Sequence, residues 1–171
     1  MGPNNPRNCT IRVLGENQLN QAGEITAIIL AASAVPPSWP PKIVTNLKYA
    51  INGLTKHLKE WENNGWIKVK NAKLFKRVAY LLKTCMAPTT FQWVKGHEGN
   101  IGNEESDRLA EEGAEKTDQD GLELDIPINF DLQGAKLASL TQAKAYKGIK
   151  KHKLPYSRRT MSRNLQRPET R

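Results

Sequence analysis

Trp93-Val94-Lys95-Gly96-His97-Glu98-Gly99-Asn100, followed at once by Gly102-Asn103-Glu104 and Asp107, is the stretch around which the rest of the chain is organised. Thr89 to Val94 alternates as a strand does. Asn103 to Lys116 has helical periodicity, with Asn103 placed to cap its start. Between them a glycine-rich loop carries His97, and the helix beyond carries Asp107. An imidazole on such a loop reads, taken alone, as a solvated side chain; beside bound metal ions it could assist proton transfer or product release.

Upstream of this stretch the chain alternates between the two periodicities. Thr10 to Val13 reads as a short strand and Gln21 to Ala34, rich in Ala, Ile and Leu, as a buried helix. Pro36, Pro37, Pro40 and Pro41 end that helix firmly. Lys42-Ile43-Val44-Thr45 is a β-branched run of strand type. Leu47 to Asn52 reads as a short helix stopped at Gly53. Thr55 to Asn63 is amphipathic, with Leu54, Leu58 and Trp61 on one face. Asn63-Asn64-Gly65 is a turn, and Asn71 to Thr84 is an amphipathic helix with Leu74, Phe75, Val78, Leu81 and Leu82 inward. Strands alternating with helices give an α/β or mixed class. Downstream, Gln119 to Asp131 is acidic, Leu132 to Ile149 is weakly helical, and the last twenty residues, basic and carrying Pro155 and Pro168, have the composition of a disordered tail. There is no internal repeat.

The net charge of the 171 residues is +9, unevenly spread. Lys42 to Lys83 holds ten basic and two acidic residues, Glu98 to Asp131 twelve acidic and two basic, and Ala145 to Arg171 nine basic and one acidic. A basic middle and a basic tail suit phosphate contact, and they equally suit solvated helix faces. No apolar run approaches the ~20 residues of a membrane span. The start, Met1-Gly2-Pro3-Asn4-Asn5-Pro6, has no signal pattern, so an intracellular protein of nucleus or cytoplasm is expected, neither secreted nor membrane-bound. Cys9 and Cys85 stand apart from any CxxC word, which implies neither a disulfide framework nor a zinc site.

Two carboxylates occupy unusual places. Glu24 falls in the first turn of its apolar helix, and with Ala27, Ile28 and Ala31 it forms an i, i+3, i+4, i+7 stripe on the core face. The helix dipole alone also favours a first-turn Glu. Asp107 forms a similar stripe with Ala110 and Ala114, among many surface acids. Asn46 ends the Lys42–Thr45 run, the place where open α/β sheets carry ligand groups. Two carboxylates drawn to one point repel, and divalent cations commonly hold them there. Two-metal phosphodiester hydrolysis uses that arrangement, with cations about 3.5–4 Å apart.

Together these words resemble the type 1 ribonuclease H family. V-K-G-H-x-G followed by G-N-E-x-x-D-x-L-A is a highly specific signature of it. Asn20-Gln21-Ala22-Gly23-Glu24 resembles its N-Q/N-x-x-E segment, and Lys42 to Asn52 its I-x-S/T-D-S-x-Y-V-I-N segment. Leu54 to Trp66 resembles the helix and turn that lie along the hybrid. The resemblance covers residues 4 to 117 and is greatest to members in fungal genomes and retroelements. It implies a ribonuclease H-like mixed sheet flanked by helices. It also implies cleavage of the RNA strand of RNA–DNA hybrids with Mg²⁺ or Mn²⁺, leaving 3′-OH and 5′-phosphate. Glu24 matches the family's second acid, Asp107 its fourth and His97 its helper histidine, so Glu24 and Asp107 are the expected metal ligands. Asn20 and Gln21 match residues that touch the minor groove, where 2′-hydroxyls mark RNA. Trp61, Trp66, Lys56 and Lys59 match the region that grips the DNA strand; either Trp equally reads as core. Lys48 and Lys95 complete the expected nucleic-acid face.

The chain departs from the family pattern twice. Asn46 stands where the third acid belongs, and the first acid's T-D-G-S-like word is absent. The first two strands of the family sheet are therefore expected to be missing, with an exposed sheet edge. The expected organisation is a partial domain over 1–117, an acidic linker over 118–131, a weakly helical extension over 132–150 and a basic tail over 151–171. Three readings stay open: a degenerate hybrid endonuclease, weak or inactive as this chain; a non-catalytic nucleic-acid-binding module; and a retroelement relic acting as an interaction protein.

Overall fold

A computed structural model describes residues 5–13, 20–96, 99, 101–131 and 134–150, with the side chain of Asn20 left aside. The elements are α1 (Asn20–Ser33), β1 (Lys42–Thr45), α2 (Lys48–Asn52), a π-helical turn (Gly53–His57), α3 (Leu58–Asn63), α4 (Ala72–Thr84), β2 (Thr90–Trp93) and α5 (Ile101–Glu115). A 3₁₀ turn (Leu137–Ser139) follows, and residues 142–150 are helical. The class is mixed α/β, as expected. The chain divides into two compact units, one of residues 1–59 and 70–132, the other of 60–69 and 133–171.

In the first unit α1 packs on α4. The buried face of α1 is Ala22, Ile25, Thr26, Ile28 and Ile29, and α4 presents Phe75, Val78 and Ala79. Tyr49 of α2 meets Phe75 edge to face with centroids 5.3 Å apart, the arrangement that ring quadrupoles favour. β1 and β2 are parallel, Lys42 opposite Thr90 and Thr45 opposite Trp93. Side chains alternate across the pleat, so Ile43 is buried while Val44 is exposed. The backbone pairing continues past both ends, Thr90 N–H donating to Pro41 O at 2.9 Å and Val94 N–H to Thr45 O at 3.1 Å. Among the described residues the sheet has these two strands.

Several expectations are corrected. Thr10 to Val13 is not a strand. Its backbone is claimed by the segment that follows α5 instead of by a ladder: Lys116 Nζ donates to Thr10 O at 2.6 Å and Arg12 N–H to Asp120 Oδ2 at 2.7 Å. The Arg12 guanidinium reaches back to Ala114 O at 2.7 Å and to Lys116 O, so a cation closes the carbonyl end of α5. Asp120 is held below the ordinary carboxylate range by that Arg12 N–H and by Lys116.

Gly53 does not stop a helix. It is helical and buried, and α2 runs through the π turn into α3, because the bonds of the widened turn carry the backbone onward. Asn103 lies inside α5 rather than capping it, and its amide is used by Asp107. The Glu24 stripe is displaced as well. Ala27 and Ala31 are exposed, Glu24 lies at the margin of the buried face, and it is the fifth residue of α1, past the first turn. Burying Ile25 and Ile29 decides the rotation of the helix. Asp107, Ala110 and Ala114 are likewise exposed, since α5 turns Leu109 and Gly113 inward.

Residues 118–127 have no regular structure and meet α4 at Asp125, whose carbonyl accepts from Arg77 at 2.8 Å. Lys76 Nζ meets Asp131 Oδ1 at 2.6 Å, and Tyr80 meets Phe130 with centroids 5.0 Å apart. The 151–171 tail lies outside the described residues.

Gly113 is where α5 and the N-terminal segment touch: a Cβ there would be driven into Ile11 O, a backbone atom that cannot rotate away. Gly113→Ala is expected to cost about 1–3 kcal/mol of stability by overpacking. Urea melts check this; a lower midpoint with unchanged slope is the expected result, and an unchanged midpoint would show that the contact does not hold the segment.

Candidate active site

Because β1 and β2 are parallel, their carboxyl ends share one edge of the sheet, where such sheets carry ligand groups. Thr45 and Trp93 are opposite each other at that edge, followed by Asn46 on one strand and Val94 to Gly96 on the other. Trp93 Nε1–H donates to Asn46 O at 3.0 Å. A Cβ on Gly96 would lie 3.0 Å from Asn46 Nδ2, so the Asn46 amide rests against the Gly96 backbone. The Thr45 hydroxyl oxygen accepts the Leu47 N–H at 3.1 Å and orders the entry into α2. Lys48 then lays its ammonium over the Trp93 ring, 4.2 Å from the centroid, a cation–π contact.

Two carboxylates bear on this edge from different helices, Glu24 through Thr45 and Asp107 through its charge on Glu24. Glu24, from α1, is half-buried; burial first, and then the charge of Asp107, push its carboxyl above the ordinary range. A hydrogen bond with the Thr45 side chain acts in the opposite direction. Asp107, from α5, is exposed, and its Oδ2 accepts the Asn103 Nδ2–H at 3.2 Å. A desolvated carboxylate repelled by a second carboxylate is the situation that a bound cation relieves. The donors fit a hard divalent ion: two carboxylates, with the Asn46 side-chain oxygen as a weaker neutral donor. Among the described residues no group of three His, Cys, Asp or Glu side chains gathers.

Glu24, Asn46 and Lys48 are therefore placed at the strand ends, with Asp107 close enough for its charge to act on Glu24 and with Lys95 between Trp93 and Gly96. His97 lies outside the described residues. Asn20 begins α1 and Gln21 follows it, exposed. Lys56, in the π turn, and Lys59, in α3, are exposed. Trp61 and Trp66 belong to the second unit, where their rings lie 6.0 Å apart at 51° and are half-buried against each other. Sequence reasoning missed Thr45, Trp93 and Gly96 as parts of this edge. Thr45 reads as one more β-branched strand residue, and Trp93 as one more alternating one; their position at the end of each strand was the available signal.

The RNase H family model matches residues 2–115. Ribonuclease H1 of Homo sapiens is 36% identical over 122 residues, which are 68% of this chain and 42% of the human protein. Ribonuclease H of Zymomonas mobilis is 36% identical over 100 residues, 56% of this chain and 63% of that protein. Ribonuclease H of Pseudomonas paraeruginosa is 35% identical over 99 residues, 55% of this chain and 66% of that protein. The chain thus spans between 42% and 66% of the length of these curated relatives.

Glu24 is raised in the folded state, so the fold prefers it protonated. Its contribution to stability is fully present below the ordinary Glu value and is lost as pH rises through the raised value. Glu24→Gln is therefore expected to melt about 1–3 °C higher than the unchanged chain near neutral pH. The gap should close as the pH falls to about 4. Thermal melts across that range check it; a gap independent of pH would show that ionisation of Glu24 carries no cost.

Proposed function

Since the chain belongs to the RNase H family, we propose that it binds RNA–DNA hybrids and hydrolyses their RNA strand weakly or not at all. The observation that carries this reading is that Glu24, held to Thr45 at the carboxyl end of β1 next to Asn46, feels the charge of Asp107 from α5. Glu24 and Asp107 hold Mg²⁺ or Mn²⁺, and Asn46 contributes a neutral oxygen where the family pattern has an acid. When bound, the metal supplies activation of water and stabilisation of the leaving oxygen. Thr45 orients the Glu24 carboxylate, and His97 serves proton transfer. Replacing a carboxylate by an amide at Asn46 removes one negative charge from the metal's surroundings, which weakens binding of a hard cation.

On the substrate side, Asn20 and Gln21 contact the minor groove, where 2′-hydroxyls distinguish RNA from DNA. Lys48, Lys56, Lys59 and Lys95 contact phosphates, and Trp61 and Trp66 contact the DNA strand. Lys48, its ammonium resting on the Trp93 ring, holds a positive charge at the end of β2. A purely binding role is the second reading, favoured by the neutral side chain of Asn46.

The test is cleavage of an end-labelled RNA–DNA hybrid with Mg²⁺ and with Mn²⁺, beside Asn46→Asp, together with hybrid binding in a chelator. Hybrid binding is expected without divalent ions. Cleavage by the unchanged chain is expected to be slow or absent, and Asn46→Asp should raise it by about tenfold or more. If Asn46→Asp binds the hybrid but does not cut, the binding module is the correct reading. Fast cleavage by the unchanged chain, surviving Glu24→Gln, would place the chemistry on other groups. Absence of hybrid binding would overturn the whole reading.

A further inference from the structure

The second unit joins two distant segments, and its fastenings are specific. Gly65 has φ +63°, and a Cβ on it would lie 2.5 Å from Gly134 O, so glycine serves both the turn and the close approach of the chain at 134–135. Lys136 N–H donates to Asn63 O at 2.8 Å. The Glu60 carboxylate accepts the Lys144 ammonium at 3.2 Å and the Asn64 Nδ2–H at 3.3 Å, fixing the early part of the 142–150 helix. Farther along, Gly148 lies against Ile67; a Cβ on it would stand 3.2 Å from Ile67 Cδ1. These contacts bring Lys147, beside Gly148, next to Lys68, beside Ile67.

Lys68 and Lys147 are both exposed, and Lys68 is held at φ +65°. Hydrogen bonding to Lys147 and repulsion by it hold the Lys68 amine below the usual lysine range. Like charges fastened side by side cost free energy that an anion placed between them returns. The described residues of the unit, 60–69 and 134–150, carry five lysines and two acids, and one of those acids, Glu60, is already engaged by Lys144. The Trp61–Trp66 ring pair stands in the same unit, and cations interleaved with aromatic rings are how proteins hold nucleic-acid strands.

We propose that Lys68 and Lys147 form a phosphate-binding site through which the 134–150 segment joins the 60–69 turn in gripping a nucleic-acid backbone. The family match ends at residue 115, so Lys147 and its segment are an addition outside the matched residues. The proposal rests on the hybrid-binding reading above and names a further contact of the same substrate. The site recognises backbone charge alone, so it takes either strand and any sequence.

The test uses the full chain and a fluorescent RNA–DNA hybrid, with a chelator present so that no cleavage enters, over a range of salt. The double variant Lys68→Gln/Lys147→Gln is compared with Lys68→Arg/Lys147→Arg and with Lys56→Gln/Lys59→Gln. The first is expected to weaken binding several-fold and to lower the salt slope by roughly one to two. The arginine pair, which keeps both charges, should bind nearly as the unchanged chain does. If Lys56→Gln/Lys59→Gln weakens binding while Lys68→Gln/Lys147→Gln changes neither affinity nor slope, this proposal fails and the hybrid reading stands. If the unchanged chain binds no hybrid, both fall. Loss of binding to phosphatidylserine vesicles in the glutamine pair, with hybrid binding untouched, would assign the lysines to a membrane surface and overturn it.

Discussion

The contact between α1 and α4 is the one on which the arrangement of the acids depends. Ile25, Ile29, Phe75 and Val78 are each no more than 1% exposed. Burying one such side chain contributes roughly 1.5–3 kcal/mol. Turning α1 by one residue, about 100°, would move Ile25 or Ile29 toward water. No gain at Glu24 offsets that loss, so the apolar face sets the rotation and Glu24 is carried to the margin of the core. Its half-burial is a by-product of how its neighbours pack, and burial raises its proton affinity.

Asp107 is placed by different forces. α5 is fastened through close backbone approach at Gly113 and through polar ties at its end, where Arg12 and Lys116 bind carbonyls of the opposite segment. Glu24 thus stands on a helix held by apolar burial, and Asp107 on a helix held by contacts to the N-terminal segment. Their separation depends on two independent attachments. Asn46 is held by a third, through its carbonyl to Trp93 and its amide against Gly96. A change in any one attachment moves one of these three side chains without substituting it.

The sequence was most legible where one force dominated. β1 was read to the residue, because a β-branched run that follows two prolines has one reading, and α4 was read to within one residue from its apolar period. Legibility failed where tertiary contacts overrode a local rule. Gly53 reads as a stop, yet the π turn passes through it. Asn103 reads as a cap, yet it lies within α5. Thr10 to Val13 reads as a strand, yet the side chains of Lys116 and Asp120 take its backbone groups. At the candidate site, Glu24 and Asp107 were found through the family words rather than through periodicity, since Ala27 and Ala31 of the one stripe and all three positions of the other are exposed. The Thr45 hydroxyl and the Trp93 indole were not found, because their roles depend on which strand end faces which, and no local pattern encodes that.

The π turn has a consequence for phase. A π turn is commonly an α-helix with one residue added, and each residue of an α-helix advances its face by about 100°. Gly53–His57 therefore acts as a gear tooth between α2 and α3: both follow ordinary helical spacing, but they are out of step with each other. Shortening the turn by one residue would leave composition, helix and charge almost unchanged while swinging Lys59 to another side of the rod. Two chains nearly identical in this region could thus present different surfaces, and the count of residues between Leu54 and Lys59 would tell them apart better than any tally of matching letters.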